Sequence, residues 1–323
     1  MQSRQKRKLL FNIAVFLFSG TVFAAPPSLP PGAQQQLDDV VGQRVEATAV
    51  LGTQNIASRS GLGWKLNNAD GTIYKLPWKF GLNEPTPIGD SEIKWTPVLE
   101  GGAGYGEFEN HFENNVLAGN ESDYDTIALS LGAGPRFYFS DSGFSVLPAF
   151  DFLFAHTENH FFAHTLAGEA VLANGQFVNW QVWTISFVPS FELRYKKTFG
   201  HWTPEFTSGY AYFHTIPISR STDAISFRSN SMVWANKIDL DYLTDWKLRD
   251  CPIHFGGDFS RTDLYGGLRE SMNTDHYYQT DGRVTFDVAG KFWKIATVGL
   301  SAGYFWSGAF NGYSVGLEGS LKF

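Results

Sequence analysis

The sequence predicts an all-β protein, a transmembrane antiparallel β-barrel of about 12 strands with an N-terminal α-helix inside its lumen. Three observations carry this. Beyond residue 60, hydropathy alternates with a period of two, in segments longer than the ~5–6 residues usual in soluble sheets and nearer the ~9–11 of a tilted membrane strand. Aromatic residues reach 16% and glycines number 33, yet after the N-terminal segment no apolar run nears the ~18 residues a membrane helix needs. The chain also closes on "NGYSVGLEGSLKF", which alternates to its last residue, where termini usually fray.

The first segment stands apart from the fold. "MQSRQKRKLL" carries Arg4, Lys6, Arg7 and Lys8 without an acid, and leads into an apolar run and then small residues. That order is a secretory signal peptide over residues 1–24, with Val22 and Ala24 suiting cleavage after Ala24. Removing its four cations shifts the net charge from −7 to about −11, which excludes the basic footprint of a nucleic-acid binder. Residues 25–33 form a proline-rich leader. From 34 to 57 Leu37, Val40, Val41 and Val45 recur at helical intervals. A helix there would be about 35 Å long at ~1.5 Å per residue. Its polarity suits a lumen rather than lipid, and its β-branched residues also permit a strand.

The barrel occupies residues 60–323. Strands are expected near 60–66, 71–82, 92–106, 122–139, 143–156, 178–195, 201–214, 230–246, 252–263, 276–292, 297–307 and 312–323. Their faces differ sharply. In 143–156, Phe144, Val146, Pro148, Phe150, Phe152 and Phe154 share one side, with Ser145, Ala149 and Asp151 opposite. In 122–139, Ile127, Leu129, Leu131 and Phe137 oppose Thr126, Ser130, Gly132 and Arg136. In 178–195, Trp183, Ile185, Phe187 and Phe191 oppose Thr184, Ser186, Glu192 and Arg194. One face suits lipid, and the other, rich in Gly, Ser and Thr with scattered charges, suits a small polar lumen. Soluble sandwiches also alternate, so the composition of the second face is the discriminating signal. Aromatics gather toward strand ends (Trp95 and Tyr105, Trp202 and Tyr212, Trp234 and Trp246, Tyr304 and Trp306), as interfacial girdles would require.

Connection lengths test the same reading. With both chain ends on one side of a membrane, connections should alternate between short turns and longer loops. One set is 83–91, 140–142, 196–200, 247–251 and 293–296, mostly short. The other is 67–70, 107–121, 157–177, 215–229, 264–275 and 307–311, and it contains the four longest. Cys251 is the lone cysteine, so no intramolecular disulfide stabilises the fold.

Signal peptide, polar-lumen strands and the ending "YSVGLEGSLKF" together resemble a Gram-negative outer-membrane β-barrel. Phe323, with Tyr313, Val315, Leu317 and Leu321 before it, resembles the signal that the barrel-assembly machinery reads on the last strand. Twelve strands preceded by a helix are similar to the translocator domain of autotransporters, over roughly residues 34–323. Only about ten residues separate Ala24 from the helix, so the resemblance is to solitary barrels that lack a secreted passenger. It implies residence in the cell outer membrane, contact with its lipid, insertion by the assembly machinery, and a monomeric surface protein or narrow plugged pore without catalytic residues or cofactor.

The interior polar candidates are Arg136, Asp151, Glu192, Arg194, Lys237, Asp239, Asp241, Asp287 and Glu318. Their mixed signs suit cross-barrel ion pairs around an internal helix, to which Arg44 and Glu46 would contribute, better than a selectivity ring of one sign. The alternative is an outer-membrane hydrolase acting on lipid or peptide at the outer rim. His156, His160 and His164, with Glu158 and Glu169, have spacings that permit a metal site. His214 with Ser219 or Ser221 permits a nucleophilic pair. Asp275 directly precedes His276, an arrangement that would part them if both lay in a strand. None of these constellations is specific, and no metal or cofactor is expected.

Overall fold

The computed structural model describes residues 45, 47, 49–50, 62–66, 69–111, 118–139, 142–175, 178–222, 225, 227–289 and 295–321. The signal peptide with its cleavage site after Ala24, the leader, Arg44, Glu46, most of 34–57, the side chains of Glu318 and Leu321, and Phe323 lie outside the described residues.

The strands are β1 (Leu62–Leu66), β2 (Ala69–Gly81), a two-residue β3 (Thr86–Pro87), β4 (Ile93–His111), β5 (Glu121–Phe139), β6 (Phe144–Phe162), β7 (Gln181–Lys196), β8 (Trp202–Arg220), β9 (Ser229–Leu248), β10 (Cys251–Gly266), β11 (His276–Asp287), β12 (Ile295–Trp306) and β13 (Phe310–Leu321). Among the described residues two helices interrupt them, α1 (Leu166–Asn174) after β6 and α2 (Gly267–Met272) after β10. Each long strand pairs antiparallel with its sequence neighbour. β1 also pairs with β13, Leu62 opposite Ser314, and β2 pairs with β4, Tyr74 opposite Tyr105. With β3 set aside, the remaining twelve strands form a ring in which every strand has two partners. Closure removes the unpaired sheet edges that lipid cannot satisfy. Among the described residues no helix is long and apolar enough to cross a membrane.

One end of the ring carries 82–92, 140–143, 197–201, 249–250 and 288–294; the other carries 67–68, 112–120, 163–180, 221–228, 267–275 and 307–309. The first is called the turn end and the second the loop end. Arg249 and Asp250 both have positive φ, 49° and 64°, as a two-residue hairpin of the twist-matched type requires. The four connections 112–120, 163–180, 221–228 and 267–275 at the loop end are longer than all those of the turn end except 82–92, which contains β3, whereas 67–68 and 307–309 at the loop end are short, against the expected alternation. Loops are shorter than expected because strands are longer: β4 runs to His111 rather than 106 and β6 to Phe162 rather than 156. β11 conversely stops at Asp287 rather than 292.

The outward face is apolar across the middle of the ring. Ile127, Val315 and Leu317 are 63%, 64% and 77% exposed, values that in water would mark an aggregating surface and in lipid mark the bilayer contact. Aromatics rim this band at the turn end through Trp95, the pair Phe144 and Tyr195, and the pair Trp202 and Tyr242, whose rings lie 4.7 and 4.6 Å apart. At the loop end the rim holds Tyr105, Trp183, Trp234 and Trp306. Trp95 and Tyr105 on β4 are separated by roughly 33 Å at ~3.3 Å per residue. At a tilt of about 45° that becomes roughly 23 Å, close to the ~25 Å apolar band of such barrels.

Candidate functional site

The interior is divided by depth. Toward the loop end the inward positions Ile73, Ala128, Leu153, Val188, Ala211, Phe213, Val233, Leu264, Phe305 and Phe310 form one apolar cluster. A uniformly polar lumen was expected, and this layer corrects it. Its physical reason lies inside the ring: helical residues Ala47, Ala49 and Val50 pack into the cluster, with Val50 fully buried. Just above, helical Val45 packs with Trp180, Val182, Ile225 and Phe227 at the mouth. The chain therefore passes from the mouth inward. α2 also folds in, burying Leu268 and Met272, and the Leu268 N–H donates to Ser231 Oγ at 3.0 Å. α1 instead stays outside with Leu166 exposed, its first turn capped by Thr165, whose Oγ1 accepts from Gly168 N at 3.2 Å.

Toward the turn end the inward positions are charged. Lys79 Nζ lies 2.7 Å from Glu100 and 2.8 Å from Glu192, and Arg136 Nη2 donates to the other Glu192 oxygen at 2.6 Å. Arg194 Nη2 donates to Glu205 Oε2 at 2.7 Å, its Nε lies 2.7 Å from Oε1 in an ion-pair contact, and Lys196 Nζ is 3.3 Å away. Across the ring Arg283 donates to both Asp239 oxygens at 2.5 and 2.6 Å and reaches Asp241 at 3.3 Å, while His254 Nδ1 meets the second Asp241 oxygen at 2.8 Å. Glycine makes room for this network. A Cβ on Gly132 would collide with the Asp151 carboxylate, and one on Gly256 with the Arg283 guanidinium. Buried charges tolerate such surroundings only when paired and hydrogen-bonded, and these form a linked set.

Of the predicted interior residues, Arg136, Asp151, Glu192, Arg194, Lys237, Asp239 and Asp241 face inward here. Asp287 ends β11 and accepts from Ala289 N at 2.9 Å, so it shapes a turn. Glu318 pairs in register with Gly299. Residues Lys79, Glu100, Glu205, His254, Asp258 and Arg283 complete the network. Sequence reading passed over Lys79, Glu100, Glu205, His254 and Asp258, although Lys79, Glu100 and Glu205 fall in inward phase with their strands. Tyr313, Val315 and Leu317 stand outward on β13.

The chemical constellations do not assemble. Glu158 sits between His156 at 3.0 Å and His160 at 3.6 Å on the outward side of β6, whereas His164 turns toward Glu121 at 4.0 Å. His214 Nδ1 meets Asn230 Oδ1 at 2.8 Å, which also accepts from the Tyr212 hydroxyl. Ser219, on the same extended strand, is roughly 16 Å along from His214 at ~3.3 Å per residue. Asp275 and His276 do touch, at 2.6 Å, because Asp275 precedes β11 and so escapes strand alternation; its side chain is 63% exposed. A group not foreseen is Glu109, His111 and Glu121, whose ligand atoms lie within 4.8 Å of one another at the loop end of β4 and β5. His111 and Glu121 face each other in register, a pairing visible only once the hairpin is known. Exposed acidic clusters of this kind are common without a metal.

The fold is similar to two solved autotransporter domains. The transport unit of AIDA-I from Escherichia coli aligns with a TM-score of 0.54 at 8% identity, over 89% of this chain and 99% of that one. The beta domain of the Bordetella autotransporter Brka aligns with a TM-score of 0.51 at 12% identity, over 81% and 96%. At such identities the likeness is one of fold. No curated protein matches in sequence. The family model described as the solitary outer membrane autotransporter beta-barrel domain matches residues 49–315, the whole ring but for the second half of β13, and the chain belongs to that family of outer-membrane translocator-type barrels.

Proposed function

We propose that the protein works as a plugged outer-membrane barrel, a surface protein or narrow pore whose interior is closed in its loop-end half, and that it performs no catalysis. The observation that carries this reading is the burial of Val45, Ala47, Ala49 and Val50, each at most 5% exposed, among inward apolar residues from most of the strands. An open aqueous channel would leave Leu153, Val188, Phe213 and Val233 facing water, and each such side chain favours burial by about 1.5–3 kcal/mol. The separation of His214 from Ser219 and the divergence of His164 from His156 and His160 support the non-catalytic part.

The same proposal covers biogenesis. The chain is exported by a signal peptide cut after Ala24, and the assembly machinery reads β13 and Phe323 to insert it as a monomer in contact with outer-membrane lipid. N-terminal sequencing of the mature protein tests the cleavage site, and deleting Phe323 should lower outer-membrane yield. Planar-bilayer conductance tests the plug. Deleting residues 34–57 should convert a nearly silent protein into one with large steady openings, and unchanged conductance would remove the plug from the account.

A further inference from the structure

The turn-end half of the lumen holds a cavity of about 300 Å³, lined by Lys79, Arg136, Glu192, Arg194, Glu205 and Lys237 among others. Four cations and two carboxylates share it. Lys79 and Arg194 are engaged by close carboxylate contacts. The other two keep donor capacity in reserve. Arg136, only 4% exposed, spends Nη2 on Glu192, while its Nη1 is buried with no hydrogen-bond partner among the described residues. Lys237 Nζ finds its nearest carboxylate oxygens at 3.6 Å on Asp239 and 3.9 Å on Asp258, beyond hydrogen-bond reach. Arg136 on β5 and Lys237 on β9 thus line one cavity, each with donor capacity that no described residue fills.

Leaving a charged donor unsatisfied in a buried site is costly, and the groups that satisfy such donors most strongly are ionised oxygens. At ~30 Å³ per water, the cavity has room for about ten waters, or a small oxyanion with a few waters around it. The charges that hold the network in place also position it for an anion, because Glu192 fixes the Arg136 guanidinium plane through Nη2 and leaves Nη1 free. We propose that this cavity is a binding site for a small oxyanion, which accepts from Arg136 Nη1 and Lys237 Nζ together.

The test uses the full-length barrel folded in detergent and inorganic phosphate as the probe. Thermal unfolding is followed by heat-modifiable gel migration, with phosphate titrated against chloride at constant ionic strength. Phosphate should raise the midpoint in a saturable manner that chloride does not reproduce, because a ligand of the folded state alone stabilises it by mass action. In Arg136→Met and in Lys237→Met the half-saturating phosphate concentration should rise at least about tenfold, the effect of losing one strong hydrogen bond. Equal midpoints in phosphate and chloride would overturn the proposal, as would a phosphate response that survives both substitutions. Should Arg136→Met fail to fold, Lys237→Met carries the comparison, since its ammonium has no hydrogen bond to lose.

Discussion

The two halves of the lumen are built by the same strands at the same alternating positions, yet they solve opposite problems. On β6, Leu153 belongs to the apolar layer and Asp151, one inward step toward the turn end, belongs to the charged network. On β7 the same step-down runs from Val188 to Glu192 and Arg194, and on β9 from Val233 to Lys237 and Asp239. The apolar half needs something to cover it, and helical residues Ala47, Ala49 and Val50 together with α2 supply the cover. The charged half needs partners and water, and the ion pairs and cavity supply those. What differs is therefore the solvent each half is designed to meet, and the boundary between them lies across the ring rather than along any one strand.

The largest effect should come from confusing the two solvents. Leu153→Asp places a carboxylate in the apolar layer, at a cost of about 4 kcal/mol or more. Loss of the compact, heat-modifiable band at a temperature where the parent barrel retains it would show this. A Leu153→Asp barrel as heat-resistant as the parent would mean the layer is already wet. Next in size is Glu192→Gln in the charged half, which strips both Lys79 and Arg136 of a carboxylate. About 2–4 kcal/mol of barrel stability should go, since removing one member of a buried pair strands the other. The double variant Glu192→Gln, Arg136→Met should recover part of the loss, and simple additivity in denaturant melts would sever the coupling inferred here. The smallest effect concerns how α2 is pinned to the apolar half. Ser231→Ala removes the acceptor for Leu268 N–H and should cost about 1 kcal/mol, read as faster protease cleavage within 267–275 without a change in barrel melting.

The ring itself was legible from alternation, because lipid enforces a strict apolar face wherever it touches a strand. Beyond the lipid, that enforcement ends while backbone pairing continues. Glu107, Glu109 and His111 extend β4, and His156, Glu158 and His160 extend β6, with polar groups outward, so the hydropathy contrast vanishes before the strands do. The apolar lumen layer was hidden for the converse reason. In "FDFLFA" the inward Leu153 and Ala155 follow outward phenylalanines, and a run apolar on both faces no longer reports which face is which. Individual charged residues such as Arg136 and Glu192 could be assigned to the lumen by phase. Their partnership could not, because it joins β5 to β7 across β6 and depends on register that no local pattern encodes.

The division of the lumen is tested most directly by thiol accessibility along β8 in a Cys251→Ser background. Thr207→Cys would sit at the cavity and Ala211→Cys in the apolar layer under the helix. With a charged, membrane-impermeant thiol reagent, Thr207→Cys should label promptly. Ala211→Cys should label at least about 100-fold more slowly, matching an opening free energy of about 3 kcal/mol, and should become reactive once residues 34–57 are deleted. Equal labelling of the two positions in the intact barrel would contradict the account.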